Sequence, residues 1–413
     1  MLSPYRALDL TNERGLLCGQ ILADLGADVI QVEPRGGSSA RRIGPFLEDR
    51  PHPERSLFWW AYTRNKRSIT LDIDHPDGRA LLRQLAARAD FLIESDTPGA
   101  LAARALGARD LAQVNPRLVY VSISPFGQDG PKARYAASDL VLMAASGPLF
   151  MTGDDDRPPL RISVPQAYLH ASAEAATAAL IALHERHRSG RGQHVDVAAQ
   201  QAVAVATQSG ALAAAVGWPE TTRVAGGARV GPITVRFVFP AQDGHVSITH
   251  IFGASVGRFT RRLMEYIHDH GGCDAATRDK DWEHYFELLF AGQESLDEFE
   301  RVKRVVANFT RTKTKAELLA AARARGLLIA PVAALAEVIE NEQLDARRYW
   351  RAVPHPEVGR SFRYPGPFAK LSATPIAYRR RAPLIGEHNH EVYVRELGLT
   401  EAEFTALQER GVM

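Results

Sequence analysis

Residues 5–33 read YRALDLTNERGLLCGQILADLGADVIQVE, and this stretch decides the fold class. Tyr5–Leu10 is a short apolar run, Leu16–Leu25 carries apolar residues at helical spacing, and Val29–Glu33 is a second apolar run entered through the Gly26-Ala27-Asp28 turn. Strand, helix and strand within so few residues make a βαβ unit, which places the two strands parallel. The alternation continues outward. Ser68–Ile73 reads as a strand, Pro76 to Arg88 as a helix opened by Asp74-His75-Pro76, and Phe91–Glu94 and Leu118–Ser122 as further strands. Short strands separated by crossover helices predict an α/β protein with a mainly parallel sheet covered on both faces. Ligands of such sheets bind outside the carboxyl ends of the strands, so Thr11–Gly15, Pro34–Arg42, Arg64–Lys66 and Ser95–Ala100 are the loops of interest.

Beyond this region Pro158-Pro159 and Pro165 bracket a connector, and Ala167–Arg188 is a long Ala-rich helix stopped by Ser189-Gly190. The texture changes between about 220 and 330, where Thr234–Pro240 and His245–His250 read as strands and amphipathic helices follow. Three segments result: 1–220 as the larger unit, 221–330 as a smaller α+β domain, and a Pro-punctuated tail over 331–413 that must run over another surface of the same chain or of a partner subunit.

The chain of 413 residues carries 50 Lys and Arg against 48 Asp and Glu, with no long single-sign run, which argues against dedicated nucleic-acid binding. Its two cysteines, Cys18 and Cys273, support neither a disulfide framework nor a zinc cage, and fit a reducing cytoplasm. No stretch has the apolar length of a membrane span. The His pairs 184/187, 245/250 and 388/390 lack the spacing of a metal site, so no metal is expected.

Arg14, Arg35, Arg41, Arg42, Arg64, Lys66 and Arg67 fall on or beside the loops after the first three strands. Two readings are open for them: cations converging on phosphates, or a solvated basic rim. The first βα turn is Thr-Asn-Glu-Arg-Gly, not G-x-G-x-x-G, and no Gly-x4-Gly-Lys-Ser/Thr occurs, which disfavours the common NAD, FAD and ATP sites. Gly226–Gly231 reads as a mobile flap or an interdomain loop, and Asp154-Asp155-Asp156 as a solvated turn.

Six strings in order resemble one family: residues 8–37 (LDLTNERGLLCGQILADLGADVIQVEPRGG), 58–74 (FWWAYTRNKRSITLDID), 89–101 (ADFLIESDTPGAL), 115–131 (NPRLVYVSISPFGQDGP), 178–197 (AALIALHERHRSGRGQHVDV) and 382–399 (APLIGEHNHEVYVRELGL). The chain is identified by them as a member of the class III CoA-transferases, a group that includes carnitine CoA-transferase-like and α-methylacyl-CoA racemase-like enzymes. The resemblance implies a Rossmann-like large domain built from the N- and C-terminal parts, a smaller domain between them, and two interlocked chains. It implies coenzyme A or acyl-CoA as substrate, with no prosthetic group, and assigns Arg14, Arg35, Lys66, Ala100 and Arg104 to its surroundings. Glu94-Ser95-Asp96, where many relatives carry Glu-Asn-Phe, adds an acidic group near the CoA path.

The family's reaction uses an aspartate that attacks the thioester, forms a mixed anhydride and then carries CoA as an enzyme thioester. Counting back from Ala178-Ala179-Leu180 puts that aspartate near residue 168, and here the residue is Tyr168. A phenol titrates near 10, and an aryl ester would not relay CoA as an anhydride does. No Asp or Glu occurs from Arg161 to Ala173. Glu174 lies about 600° along the helix, or about 240° from the face of residue 168, and Asp139 is placed to orient groups, not to attack. No catalytic residue is therefore expected in this chain.

Three readings follow. The first is the nucleophile-lacking subunit of a heteromeric transferase whose paralogous partner carries the Asp, similar to those moving CoA from succinyl-CoA to 2-benzylsuccinate. The second is a self-sufficient homodimer, transferase or racemase, using another group such as His170 or Tyr168. The third is a non-catalytic acyl-CoA-binding protein.

Overall fold

A computed structural model describes residues 1–218, 223–250 and 254–413. The chain divides into two compact units, one of Met1–Leu149, Ile162–Val216 and Gln343–Met413, the other of Phe150–Arg161 and Gly217–Glu342. The smaller unit thus extends past 330 and recruits a segment from before the long helix.

The larger unit is built on six parallel strands: β1 (Arg6–Asp9), β2 (Asp28–Glu33), β3 (Arg67–Thr70), β4 (Phe91–Glu94), β5 (Val119–Ser124) and β6 (His194–Ala198). Their order, β3-β2-β1-β4-β5-β6, is that of a doubly wound sheet, with its switch point between β1 and β4. The β6 strand is absent from the sequence expectation, although His194–Val197 alternates polar and apolar. Successive residues of each strand face opposite layers. Ala7, Val29, Phe91, Ile93, Val119 and Val121 pack toward α1 (Leu16–Asp24). Leu8, Ile30, Leu92 and Tyr120 pack toward the opposite layer, with Leu81, Leu82 and Leu85 and, from the chain's end, Val392, Tyr393, Phe404 and Leu407. Each fully buried Val or Leu contributes about 1.5–3 kcal/mol.

The helices that frame the site are α2 (Leu57–Thr63), α3 (Pro76–Ala86), α4 (Ala108–Val114), α5 (Asp139–Ala145) and α6 (Ala167–Ser189). α6 lays its alanines 167, 171, 175, 179 and 182 against the sheet, and it ends where Gly190 turns left-handed at φ 75°. The tail returns along the larger unit. Asn65 donates to the Ala377 carbonyl at 3.0 Å, Trp59 Nε1 to Pro383 at 3.1 Å, and Tyr393 to the Thr70 carbonyl at 2.8 Å. At the outer strand β3, Ser68 N donates to His388 Nδ1 at 3.2 Å and Thr70 N to Asn389 at 2.8 Å.

In the smaller unit, the stretch read as one strand over Thr234–Pro240 is two: β8 (Ile233–Arg236), hairpinned to β7 (Gly227–Val230), and β9 (Val238–Ala241), paired with β10 (Gly244–Ile248). The supposed flap is therefore a strand, and a Cβ on Gly227 would lie 2.3 Å from the Val235 carbonyl oxygen. The turn at Asp154–Asp156 is a latch within this unit. The Asp154 carbonyl accepts from Arg223 at 2.7 Å, the Asp154 carboxylate from Ala225 N at 2.8 Å, and Asp155 pairs with Arg229. No helix among the described residues is long and apolar enough to cross a membrane.

Candidate functional site

Loops at the carboxyl ends of β1 to β4 enclose a cavity of about 710 Å³, lined by Thr11, Asn12, Val32–Ser39, Arg42, Leu71–Asp74 and Glu94–Asp96. It opens at the switch point, where open α/β sheets bind ligands. Glu33 ends β2, the place where dinucleotide-binding sheets present a carboxylate to ribose, but its oxygens are occupied. Arg41 donates to both at 2.6 and 2.8 Å, Ser38 N to one at 2.9 Å and the Ser68 hydroxyl to the other at 2.6 Å. With no G-x-G-x-x-G turn and a saturated Glu33, the cavity is not built as a dinucleotide site.

The seven basic residues separate into two groups. Lys66, expected at a ligand, is fully buried: its Nζ donates to Asp9 at 2.7 Å, to the Leu16 carbonyl at 2.9 Å and to Gln31 at 2.9 Å, which uses all three of its protons. Arg41 is fully buried between Glu33 and Glu54. The loop Arg64–Lys66 precedes β3 and not its carboxyl end. There Arg64 pairs with Asp24 at 2.7 Å and stacks on Tyr378, while Arg67 is held by Asp28, Glu391 and Glu396. Buried cations need partners, and sequence position alone did not reveal that these had found theirs inside.

Three remain: Arg14, half-buried and outside the cavity lining, and Arg35 and Arg42, both exposed and both on the cavity wall, where Arg42 donates to the Gly36 carbonyl at 3.2 Å. Arg104 lies outside the cavity lining and pairs with Asp74 at 2.6 Å, also donating to the carbonyl of the half-buried Ala100 at 3.0 Å. The facing wall, which the sequence reading did not gather together, is acidic, with Asp72, Asp74, Glu94 and Asp96. Glu94 is buried and its pKa is pushed up to about 7 by desolvation. His194, which lines a neighbouring cavity with it, was missed because it belongs to the unrecognised strand β6.

Tyr168 stands in the first turn of α6, half-buried, its hydroxyl donating to the Ala137 carbonyl at 3.2 Å. Burial raises its phenol above the ordinary range; nearby Arg14 acts in the opposite direction, while Glu13 and Asp139 add to the rise. It is a neutral phenol at pH 7, beside the β1 loop that supplies Thr11 and Asn12 to the cavity. Asp139 Oδ1 accepts from Gln166 N at 2.6 Å and Ala167 N at 2.7 Å, which fixes the start of α6. His170 and Glu174 are exposed. Around Tyr168, then, the described residues supply hydrogen bonds to backbone groups.

Residues 2–389 match the family described as CoA-transferase family III. A succinyl-CoA:(R)-benzylsuccinate CoA-transferase subunit of Thauera aromatica is 33% identical over 414 residues, covering 100% of this chain and 98% of that protein. A succinyl-CoA–D-citramalate CoA-transferase of Chloroflexus aurantiacus is 31% identical, covering 97% and 94% respectively. The crystal structure of a CAIB/BAIF family protein from Brucella suis superposes with a TM-score of 0.80 at 25% identity, over 95% of this chain and 98% of the other. The family match over nearly the whole length, the curated relatives and the doubly wound sheet agree: the chain belongs to CoA-transferase family III.

Proposed function

We propose that this chain is the subunit without the nucleophile in a heteromeric CoA-transferase that moves CoA from succinyl-CoA to a carboxylic acid such as 2-benzylsuccinate, its paralogous partner subunit carrying the catalytic aspartate. The observation that carries the reading is Tyr168. In this reading Tyr168 takes the place of the family's aspartate; it is a neutral phenol bonded to a backbone carbonyl, and its neighbour Asp139 is committed to the start of a helix. A relative that is itself a subunit of a benzylsuccinate enzyme supports both the assembly and the acceptor. The family's interlocked arrangement would bring this chain's loops beside the partner's.

In this reading the cavity at the switch point receives CoA, with Arg35 and Arg42 meeting its phosphates through charge-assisted hydrogen bonds and Arg14 near the thioester end, beside Tyr168. Arg104, with Ala100 behind it, sits at the rim and holds Asp74.

The test is co-expression with the Asp-bearing paralogue. The pair transfers CoA from succinyl-CoA to 2-benzylsuccinate, this chain alone does not, and Tyr168→Phe here leaves the rate of the pair unchanged. Transfer by the isolated chain, or a covalent CoA adduct trapped on it, refutes the proposal.

A further inference from the structure

Glu94 separates two cavities. It lines the 710 Å³ cavity at the switch point and also a second one of about 420 Å³, whose walls include Arg109, Tyr120, Ser122, Gln128 and His194. Its side chain accepts from Asp96 N at 2.7 Å, and the nearby Ser122 on β5 favours its ionised form against the larger effect of burial. The Ser122 hydroxyl lies 2.9 Å from His194 Nε2, on the exposed outer strand β6. A buried carboxyl and a serine–histidine pair that reaches solvent thus sit on three adjacent strands.

The charges facing this carboxyl come from every element around it. Asp96 follows on its own loop. Tyr120 and Ser122 come from β5, His194 and Asp196 from β6, and Arg109 and Asp110 from α4. Across the larger cavity stand Asp72 and Asp74 after β3, and Arg35 and Arg42 after β2. Five carboxylates, Glu33 at the end of β2 among them, therefore share a cavity with two exposed cations; Glu33 is held by Arg41 and Asp74 by Arg104. An incoming phosphate-bearing ligand adds negative charge to this space, which favours protonation of the most desolvated carboxyl.

We propose that the switch-point cavity binds its polyanionic ligand together with one proton, which moves from solvent onto the carboxylate of Glu94. The inference rests on the reading of this cavity as a CoA site. No bond to the ligand forms or breaks; the buffer supplies the proton and the ligand's dissociation returns it. The desolvation that lifts Glu94 to about 7 places the exchange near neutral pH.

The test is calorimetric titration of the full chain with CoA at pH 6 and pH 8, and at pH 7 in two buffers of different ionisation enthalpy, for the wild type and for Glu94→Gln. Ionisation of CoA's own phosphate is common to both proteins and cancels. Affinity of the wild type falls about five- to tenfold more than that of Glu94→Gln between pH 6 and 8, and only the wild type takes up additional protons at pH 7, about half a proton per ligand, since a carboxyl titrating near 7 is half protonated there already. Glu94→Asp, which keeps a titrating carboxyl, retains the pH dependence. Equal slopes and equal proton uptake in wild type and Glu94→Gln overturn the inference while leaving the CoA site in place. Undiminished CoA affinity in Arg35→Ala, or no CoA binding at either pH, overturns the site and the inference with it.

Discussion

Lys66→Met separates a ligand-binding lysine from a structural one. The Nζ of Lys66 makes three bonds of 2.7–2.9 Å, and its side chain and that of Asp9 are both fully buried. Methionine keeps the aliphatic stem but removes the charge. Among the described residues it leaves the Asp9 carboxylate with the Thr11 N–H and hydroxyl, both on one oxygen, and strips a donor from the Leu16 carbonyl and from Gln31. Breaking a buried pair from one side costs about 3–5 kcal/mol, a large part of the roughly 5–15 kcal/mol that holds a native protein together. Urea unfolding measures this as a lower midpoint at unchanged slope. Asp9→Asn added to Lys66→Met recovers at least about 1 kcal/mol, because a carboxamide needs no cation. Arg35→Ala does the opposite: its midpoint stays within about 0.5 kcal/mol of wild type, while CoA binding weakens by about 1.5–3 kcal/mol. If Lys66→Met unfolds at the wild-type urea concentration and loses as much CoA affinity as Arg35→Ala, the internal role of Lys66 is wrong.

Two further outcomes concern stability. The native pKa of Glu94, about 7, lies above the ordinary 4.5, so the native state binds the proton more tightly than the unfolded chain and loses stability as pH rises from about 4.5 through 7. The advantage of Glu94→Gln over wild type in unfolding free energy therefore grows by about 2 kcal/mol from pH 5 to pH 8; a constant difference across that window would show that the carboxyl titrates normally. Asp139→Ala removes both bonds to the start of α6 and costs about 1–2 kcal/mol, a fall in thermal midpoint of about 2–4 °C per kcal/mol. Asp139→Asn keeps an acceptor and loses less, and equal losses would exclude the capping role.

The sheet was legible because the strands β1 to β5 are buried on both faces and appear as unbroken apolar runs between turns. The strand β6 was not, since it forms an outer position where His194 and Asp196 are exposed. The switch-point loops could likewise be named from strand ends, and three of the four contribute to the cavity. What the residue order could not convey was pairing across the fold. Lys66 meets Asp9, Arg41 meets Glu54 and Arg67 meets Glu391 and Glu396 only after the strands and the returning tail have assembled. A basic loop and a buried ion pair have the same composition, and the burial that distinguishes them is tertiary. The acidic wall was hidden for the same reason, because Asp72 and Asp96 come from loops after different strands. The identity of Tyr168 is read directly from the sequence, but its half-buried setting and its bond to the Ala137 carbonyl come only from the fold.

His388 and Asn389 occupy the outward N–H groups of β3, the last strand on its side of the sheet. Until the ribosome has released them, the nascent polypeptide presents an open row of donors and acceptors to any other extended chain. Synthesis from the N-terminus thus leaves that adhesive border bare until residues 388 and 389 have emerged, and a product stopped short of them would keep it bare. The guard of this edge lies about 320 residues further along the chain than the strand it covers, so shortened copies that lack it are left open to pairing with other extended chains.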